Sequence, residues 1–165
     1  MISELLIKDT ENNGKGAFAK KVYAKGDHIL FFKGYVVSEK ELMATVDKGG
    51  YCSDDELQID EDLHMITRED DESFFINHSC CPNSGVRSKS ELCAINDIKE
   101  GEEITFDYST TVGKSVEWFM NQECKCGSLD CRKEIGNVST VPITQLEKYR
   151  DAGVLQDFIR KQLWD

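Results

Sequence analysis

The sequence lacks the apolar segments that place a chain in or across a membrane. Within its 165 residues, no stretch approaches the ~20 apolar residues of a bilayer span. The first segment, MISELLIKDTENN, is too polar for the core of a secretory signal. Only two prolines are present, and no repeat or low-complexity linker interrupts the pattern. We therefore expect an intracellular, cytoplasmic protein with no membrane partner, or a nuclear one if the source is eukaryotic.

Basic residues are also scarce. The chain has 20 lysines and arginines against 31 aspartates and glutamates, which gives a formal net charge of −11. Binding of nucleic-acid phosphates needs a basic face, so the balance argues against direct nucleic-acid binding. With 39% apolar and 31% charged residues, the composition is typical of a folded globular chain. Its length suits one core rather than two full domains.

Most of the excess negative charge lies in one stretch, residues 54–72. This stretch holds ten acidic residues and a single basic residue, Arg68. One interpretation is an ordinary solvated surface. The other is a negative field that steers a lysine-rich partner toward the protein.

The pattern of apolar residues predicts a mainly β protein with a few helices. Strand-forming residues occupy five candidate strands, at residues 5–8, 17–23, 28–37, 91–96 and 103–108. The capping-box pair of Ser38 and Glu41 predicts a helix that begins there. After Pro142 the apolar residues follow a 3.6-residue spacing, which predicts helical structure at the C-terminus.

The seven cysteines need an explanation, because an odd number cannot pair completely within one chain. Cys124, Cys126 and Cys131 have the spacing C-x-C-x4-C, which disfavours a disulfide between the first two but suits three thiolate ligands of one tetrahedral ion. In a reducing compartment such clusters are more often metal sites than disulfides, and the polar flanking residues argue against buried, unligated thiols. A structural zinc ion takes four ligands. The residues alone leave the fourth ligand open among Cys52, His78, Cys80, Cys81 and Cys93.

Three further segments combine turn-forming and polar residues. The turn at residues 13–16, Asn-Gly-Lys-Gly, is either an ordinary hairpin turn or a place where backbone approaches a ligand closely. Residues 77–80, Asn-His-Ser-Cys, offer many hydrogen-bonding groups in a short length. They fit either a complicated turn or a site for a polar ligand such as a nucleoside or amino-acid moiety. Tyr108 ends a candidate strand, where core packing with a satisfied hydroxyl is the simpler explanation.

Together and in this order, the segments resemble the SET-domain protein-lysine methyltransferases. The resemblance runs through NGKGAFA, FFINHSCCPN and AINDIKEGEEITFDY, and it ends in CKCGSLDCR, which looks like the post-SET zinc segment. It covers roughly residues 3–136 and is similar to the small stand-alone forms rather than to the large chromatin enzymes. Four motifs in the correct order and at plausible spacing make the resemblance specific.

The resemblance implies a fold and a division of the chain. The fold is a β-clip-like arrangement of small sheets, in which the segment that ends at Tyr108 is threaded past residues 77–80 as a pseudoknot. The implied units are a SET catalytic core at residues 1–112, a zinc-stapled post-SET segment at 113–136 and a C-terminal helical extension at 137–165.

The resemblance also implies a cofactor and its binding residues. S-adenosylmethionine is the expected methyl donor. Lys15, Gly16 and Ala17 would line it through their backbone, and Asn77 and His78 would hold its amino-acid and adenine ends. One structural zinc ion is expected, and its ligands would be Cys80, Cys124, Cys126 and Cys131.

The implied activity is transfer of a methyl group from S-adenosylmethionine to a lysine side-chain amine of a protein substrate, with Tyr108 as the catalytic residue. The substrate is expected to be basic, such as a histone or another basic protein. One departure is Phe74, which occupies a position where many members of the family have arginine. That departure favours the alternative, a catalytically weak SET-fold module that binds a basic tail.

Overall fold

Short strands in small sheets make up most of the fold. The computed structural model describes residues 5–11, 14–46, 48, 56–117 and 122–165. The strands in these ranges are β1 (Leu5–Asp9), β2 (Lys15–Ala19), β3 (His28–Phe31), β4 (Gly34–Ser38), β5 (Glu56–Asp60), β6 (Leu63–Thr67), β7 (Asn77–His78), β8 (Ser84–Arg87), β9 (Glu91–Ala94), β10 (Thr105–Phe106), β11 (Gln122–Glu123) and β12 (Glu134–Ile135). The α-helices are α1 (Glu39–Val46), α2 (Ile143–Asp151) and α3 (Asp157–Trp164), and short 3₁₀ helices lie at Glu72–Phe75, Tyr108–Thr111 and Val138–Thr140.

The strands of the described residues pair in sheets of two or three members. Four sheets are antiparallel: β1 with β2, β3–β9–β8, β4–β6–β5, and β11 with β12. The remaining sheet is a parallel pair of β7 and β10, which are far apart in the chain. This architecture confirms the prediction of a mainly β protein built from small sheets. The parallel pair is the contact expected for the threaded segment.

The main hydrophobic core joins the small sheets. Ala17 in β2, Leu92 in β9 and Ile104 just before β10 are fully buried members of one cluster. Sheets of two or three short strands are marginal by themselves. Burial of apolar surface stabilises at about 25 cal/mol per Å², so this shared core is what holds the sheets together.

Several predicted strands differ from the observed ones in their bounds. Residues 28–37 form two strands, since β3 pairs with β9 whereas β4 pairs with β6, and Phe32 lies between them. The strand predicted at residues 17–23 is β2, which starts and ends earlier. The strand predicted at residues 103–108 is regular only over β10, because the carboxylate of Asp107 caps the 3₁₀ helix that follows.

Helix α1 confirms the predicted capping box. Ser38 Oγ donates to Glu41 Oε2 at 2.7 Å and accepts from Glu41 N at 3.3 Å, and Ser38 N donates to the same carboxylate at 2.9 Å. The hydrogen bonds from Ser38 lower the pKa of Glu41. They also satisfy N–H groups that the first turn of a helix leaves unpaired. Leu42 on the apolar face of the helix is buried.

Helices α2 and α3 form a second cluster that is tied to the sheets. Phe158 and Ile159 are buried in this cluster. Gln156 Nε2 donates to the backbone oxygen of Gln58 in β5 at 2.9 Å, which anchors the start of α3. The prediction of a helical C-terminus after Pro142 is therefore confirmed. In the part of the chain that the structure describes, no helix has the length and apolar content of a membrane span.

Candidate active site and cysteine cluster

The parallel pair of β7 and β10 brings Tyr108 beside Asn77 and His78. The register places Asn77 and His78 directly opposite the two residues of β10. The backbone N–H of Tyr108 donates to His78 Nδ1 at 3.1 Å, and the hydroxyl of Tyr108 donates to Ile76 O at 2.8 Å. The candidate catalytic tyrosine therefore lies against the segment that is predicted to hold the cofactor.

The start of β2 packs against the same segment. Asn77 Nδ2 donates to Lys15 O at 3.0 Å and to Glu103 Oε1 at 2.8 Å. At Gly16 there is no space for a side chain, because a Cβ would clash with Glu103 Oε1 and would lie 2.7 Å from Thr10 Cγ2 and 2.9 Å from Asn77 Nδ2. The glycine-rich turn thus permits a close approach of backbone, here to Asn77.

Replacing Gly16 with alanine is expected to displace the Asn77 amide from its two acceptors. We expect the free energy of unfolding to fall by about 1–3 kcal/mol, the range for added volume in a packed site, as measured by chemical denaturation. The double variant with Asn77→Ala tests the cause. If Gly16→Ala acts by displacing Asn77, the double variant loses little more stability than the worse single variant. Additive losses would contradict this explanation.

Ala17 takes a different position from its neighbours. Its side chain is fully buried in the main core, and its carbonyl accepts from Ile104 N at 2.8 Å. The structure brings Lys15 and Asn77 into hydrogen-bond contact, whereas Ala17 serves the packing of β2. The role of these residues toward a cofactor stays a prediction.

A cavity opens beside Tyr108, and aromatic side chains form much of its wall. Phe32, Phe74, Phe106 and Tyr108 line it, and the rings of Phe106 and Tyr108 have centroids 4.9 Å apart. The room inside it for the centres of water-sized groups is about 20 Å³, slightly more than one water molecule needs, so the cavity is narrow. Such a wall suits a slender aliphatic chain that ends in a polar group.

The sequence does not reveal the other walls of this cavity. In the sequence, Phe32 is one of several apolar residues of a predicted strand. Phe74 is notable only because it occupies a position where many members of the family have arginine. Asp71 caps the 3₁₀ helix at Glu72–Phe75, which places Phe74 on the cavity wall. Glu56 also lines the cavity. No local signal distinguishes it from the other acidic residues of its stretch.

Cysteines from two distant parts of the chain meet in one cluster. Cys80 Sγ and Cys124 Sγ are 3.7 Å apart, and the ligand atoms of His78, Cys80, Cys124 and Cys126 all lie within 4.8 Å of one another. Cys131 packs against the same cluster. Burial raises the pKa of Cys80 to about 11 and also raises that of Cys124. A divalent cation would offset the cost of holding several buried thiolates together, so the group has the chemistry of a metal site.

His78 adjoins this cluster as a hydrogen-bond donor. Its Nδ1 accepts the backbone N–H of Tyr108, so the proton of the neutral ring is on Nε2. Nε2 lies 3.3 Å from Cys80 Sγ and donates to it. Burial lowers the pKa of His78 to about 4, which keeps the ring neutral near pH 7. His78 therefore supports the sulfur of Cys80 rather than competing with it as a metal ligand.

A buried ion pair connects the cysteine segment to the site. Arg132 donates to both carboxylate oxygens of Asp107 at 2.8 Å, and Tyr149 in α2 donates to the same carboxylate at 3.3 Å. The backbone N–H of Arg132 also donates to Cys80 Sγ at 3.4 Å. A bidentate pair of this kind fixes geometry as well as charge. The sequence does not predict a role for Asp107 or Arg132 at the site, because the two residues are distant in the chain and only folding brings them together.

These features define a class of protein: a domain of small sheets in which a threaded strand carries a tyrosine to a polar turn, next to a cysteine-rich segment. A comparison with protein families identifies it. The SET domain profile matches residues 14–109, which is more than half of the chain. The chain therefore belongs to the SET-domain family, as the motifs predict.

Individual relatives agree with this assignment. The chain is 36% identical over 144 residues to the histone-lysine N-methyltransferase ash1 of Drosophila melanogaster, in a match that covers 79% of this chain and 6% of that protein. It is 27% identical over 146 residues to the histone-lysine N-methyltransferase ASHH3 of Arabidopsis thaliana, which covers 82% of this chain and 39% of that protein. The chain thus spans well under half the length of either relative.

A solved structure has the same fold. The crystal structure of KRYPTONITE in complex with mCHG DNA and SAH superposes with a TM-score of 0.63 at 23% sequence identity. The match covers 82% of this chain and 29% of that chain. At this identity, the similarity establishes the SET fold and nothing further.

Proposed function

We propose that this chain is an S-adenosylmethionine-dependent protein-lysine N-methyltransferase. The observation that carries the proposal is the aromatic cavity in which Tyr108 lies, next to strand β7. The walls of the cavity suit the aliphatic chain of lysine, and the hydroxyl suits its amine. The names of the relatives, histone-lysine N-methyltransferases, support the same activity.

The proposed methyl donor, when bound, supplies an electrophilic methyl group on a positively charged sulfonium. We infer that it lies where β2 meets β7, with Lys15, Gly16 and Ala17 contributing backbone and with Asn77 and His78 at its amino-acid and adenine ends. The residues fit such a ligand in their chemistry, because the side-chain amide of Asn77 and the backbone of Lys15 meet at this junction. The KRYPTONITE structure was determined with SAH, which supports a cofactor of this kind.

The substrate must react as a neutral amine. A free lysine has a pKa of about 10.4, so only about 0.1% is neutral near pH 7.4, which corresponds to roughly 4 kcal/mol. An apolar cavity and a neighbouring positive charge both lower the pKa of an amine. Tyr108 then orients the amine toward the methyl group, an effect of position rather than of proton transfer.

We further propose one structural zinc ion with four ligands, Cys80, Cys124, Cys126 and Cys131. Structural zinc prefers a closed set of four such ligands, and His78 is engaged as a donor to Cys80. Of the remaining candidates, Cys81 is exposed, Cys93 is buried in β9 outside the cluster, and Cys52 lies outside the described residues. Because three of the four proposed ligands lie in one segment, we propose a division of the chain into a catalytic core at residues 1–112, a zinc segment at 113–136 and a helical extension at 137–165.

The activity is tested by incubating the purified chain with radiolabelled S-adenosylmethionine and a mixture of basic proteins. We expect label in protein, and mass spectrometry should find it as methyl-lysine. Label on another residue type, or none in any acceptor, would contradict the proposal. The labelled proteins of the mixture then identify the class of acceptor, which we propose to be an intracellular basic protein.

Phe74 favours a second candidate function, a SET-fold module that binds a basic tail with little methyl transfer. In that case calorimetry should detect binding of a basic peptide while the transfer assay stays at background. The side chain of Phe74 lies on the cavity wall. It therefore changes the surface that a lysine would contact without removing Tyr108.

The acidic stretch predicts a salt-dependent reaction with basic substrates. If its negative field steers the substrate, kcat/KM should fall by about tenfold or more between low and high ionic strength, because salt screens exposed charges. The described residues 61, 62 and 69 are exposed acidic side chains of this stretch. The triple variant Glu61→Gln, Asp62→Asn, Glu69→Gln should lose most of the salt dependence.

A matched control removes the same number of carboxylates from the C-terminal helices. Glu147, Asp151 and Asp157 are exposed there, so their amide variants should leave the slope of kcat/KM against salt unchanged. Equal slopes in both triple variants would assign the acidic stretch to an ordinary solvated surface.

A further inference from the structure

A carboxylate and an imidazole are buried together beside the aromatic cavity. Glu56 in β5 and His64 in β6 are hydrogen-bonded through Oε1 and Nδ1, and their side chains are 2% and 0% exposed. His64 Nε2 is also buried and has no hydrogen-bond partner among the described residues. Burial strongly disfavours an ionised carboxylate. A titratable pair in this position is a candidate functional group.

Glu56 lies on the wall of the cavity that contains Tyr108. In the described part of the chain, these two are the titratable residues of the lining, and the side chains contributed by the other strands and 3₁₀ helices are neutral. His64 in β6 is the titratable side chain that contacts the carboxyl group of Glu56. Burial raises the pKa of Glu56, and the hydrogen bond and charge of His64 oppose that rise. The cavity thus has one acidic group in an otherwise neutral wall.

We propose that Glu56, held in place by His64, receives the ammonium of the substrate lysine in this cavity and accepts its proton. This inference rests on the proposed function, in which lysine enters as a cation and reacts as a neutral amine. One N–H bond of the ammonium breaks and its electron pair stays on nitrogen, while an O–H bond forms on Glu56. After the product leaves, Glu56 releases the proton to solvent through the open side of the cavity.

Two physical features make Glu56 the proton acceptor rather than Tyr108. The hydroxyl of Tyr108 donates its proton to Ile76 O at 2.8 Å, which orients it as a donor. A carboxylate in a poorly solvated wall attracts a cation more strongly than one in water does, and its basicity rises with burial. Glu56 therefore favours entry of the ammonium, and transfer of the proton to Glu56 then replaces two poorly solvated charges with a neutral carboxyl and a neutral amine.

The variant Glu56→Gln tests the proposal, because it keeps the size of the side chain and removes its basicity. With purified histones as the acceptor, we expect kcat/KM to fall about 100-fold at pH 7.5. The deficit should shrink toward pH 10, because solvent then supplies the neutral amine of a group with a pKa of about 10.4. A loss that is the same at every pH would assign Glu56 a structural role and overturn the proposal.

Three further variants separate the position of the Glu56 carboxyl from its basicity. Glu147→Gln removes an exposed carboxylate from α2, outside both the cavity and the acidic stretch, and it should follow the wild-type pH profile. His64 lowers the pKa of Glu56, so His64→Ala should shift the acidic limb of the kcat/KM profile to higher pH. His64→Asn keeps a donor toward Glu56 and should return the limb toward its wild-type position. An unshifted limb in His64→Ala would remove His64 from the proposal.

A binding measurement decides the matter without methyl transfer. In the full chain labelled with [δ-13C]glutamate, we expect the assigned carboxyl signal of Glu56 to shift on addition of n-butylammonium chloride and not of n-butanol. In Glu56→Gln the dissociation constant for n-butylammonium should rise by about tenfold or more. An unchanged Glu56 signal would overturn the proposal, and this titration of the wild type needs no variant to fold. If the wild type transfers no methyl group, the proposed function fails, while a response of Glu56 to the amine still supports its assignment as the cation acceptor.

Discussion

Tyr108→Phe is expected to lose most of the methyl-transfer activity while the protein stays folded. The substitution removes the hydroxyl that donates to Ile76 O and leaves the ring that packs against Phe106 and His78. One hydrogen bond contributes about 1 kcal/mol to stability. Misplacement of a reacting group by about 1 Å can cost about 100-fold in rate, so kcat should fall by about that factor or more. The measurement is the initial rate of label transfer together with the thermal unfolding curve.

A matched variant shows whether the hydroxyl acts through its position. Tyr35 is an exposed tyrosine in β4 whose hydroxyl accepts from Arg68 Nη1 at 2.7 Å, and it does not line the cavity. Tyr35→Phe removes the same atom and should keep the wild-type kcat. If Tyr108→Phe transfers methyl groups at the wild-type rate, the assignment of Tyr108 as the catalytic tyrosine is wrong.

Removal of the proposed metal ion is expected to have the second large effect. A chelator, or the variant Cys124→Ser, should release residues 122–136 from the core. The metal-binding free energy of such a site is also folding free energy, and a loss of several kcal/mol in a chain of this size lowers Tm by about 10 °C or more. Activity should fall with it, because Arg132 would no longer hold Asp107 beside the site.

The controls for this prediction come from the cysteines themselves. Metal analysis should find about one zinc ion per chain in the wild type and in Cys81→Ser, which changes an exposed thiol. Cys124→Ser and Cys131→Ser should lose it. Full metal content in Cys131→Ser would make His78 the fourth ligand, and a metal-free wild type with unchanged Tm and activity would contradict the zinc site altogether.

Local sequence signals predicted much of the fold. The capping pair of Ser38 and Glu41, the helical spacing after Pro142 and the short strands are all properties of neighbouring residues, and each is confirmed in the structure. Strand bounds were the weaker part of the prediction. The place where a strand ends depends on its partner, and the partner of β4 is β6 rather than the strand that pairs with β3.

The candidate site was predictable where its chemistry is carried by short motifs. The resemblance to the SET-domain family implied that the glycine turn, residues 77–80 and Tyr108 would meet, and the structure joins them through Asn77 and His78. The residues alone left the fourth ligand of the cysteine cluster open, with His78 among the candidates. The contact that bears on His78 is the backbone N–H that its Nδ1 accepts, and no residue type reveals that contact.

The sequence by itself determined the SET-domain family, the mainly β character and the set of thiols that meet near residues 77–80. Only the tertiary structure decided that Glu56 and His64 form a buried pair on the cavity wall, that Phe74 lines that wall and that Asp107 pairs with Arg132. The reason is physical. Motifs and propensities describe groups that are close along the chain, whereas burial and charge pairing depend on groups that folding brings together from distant positions.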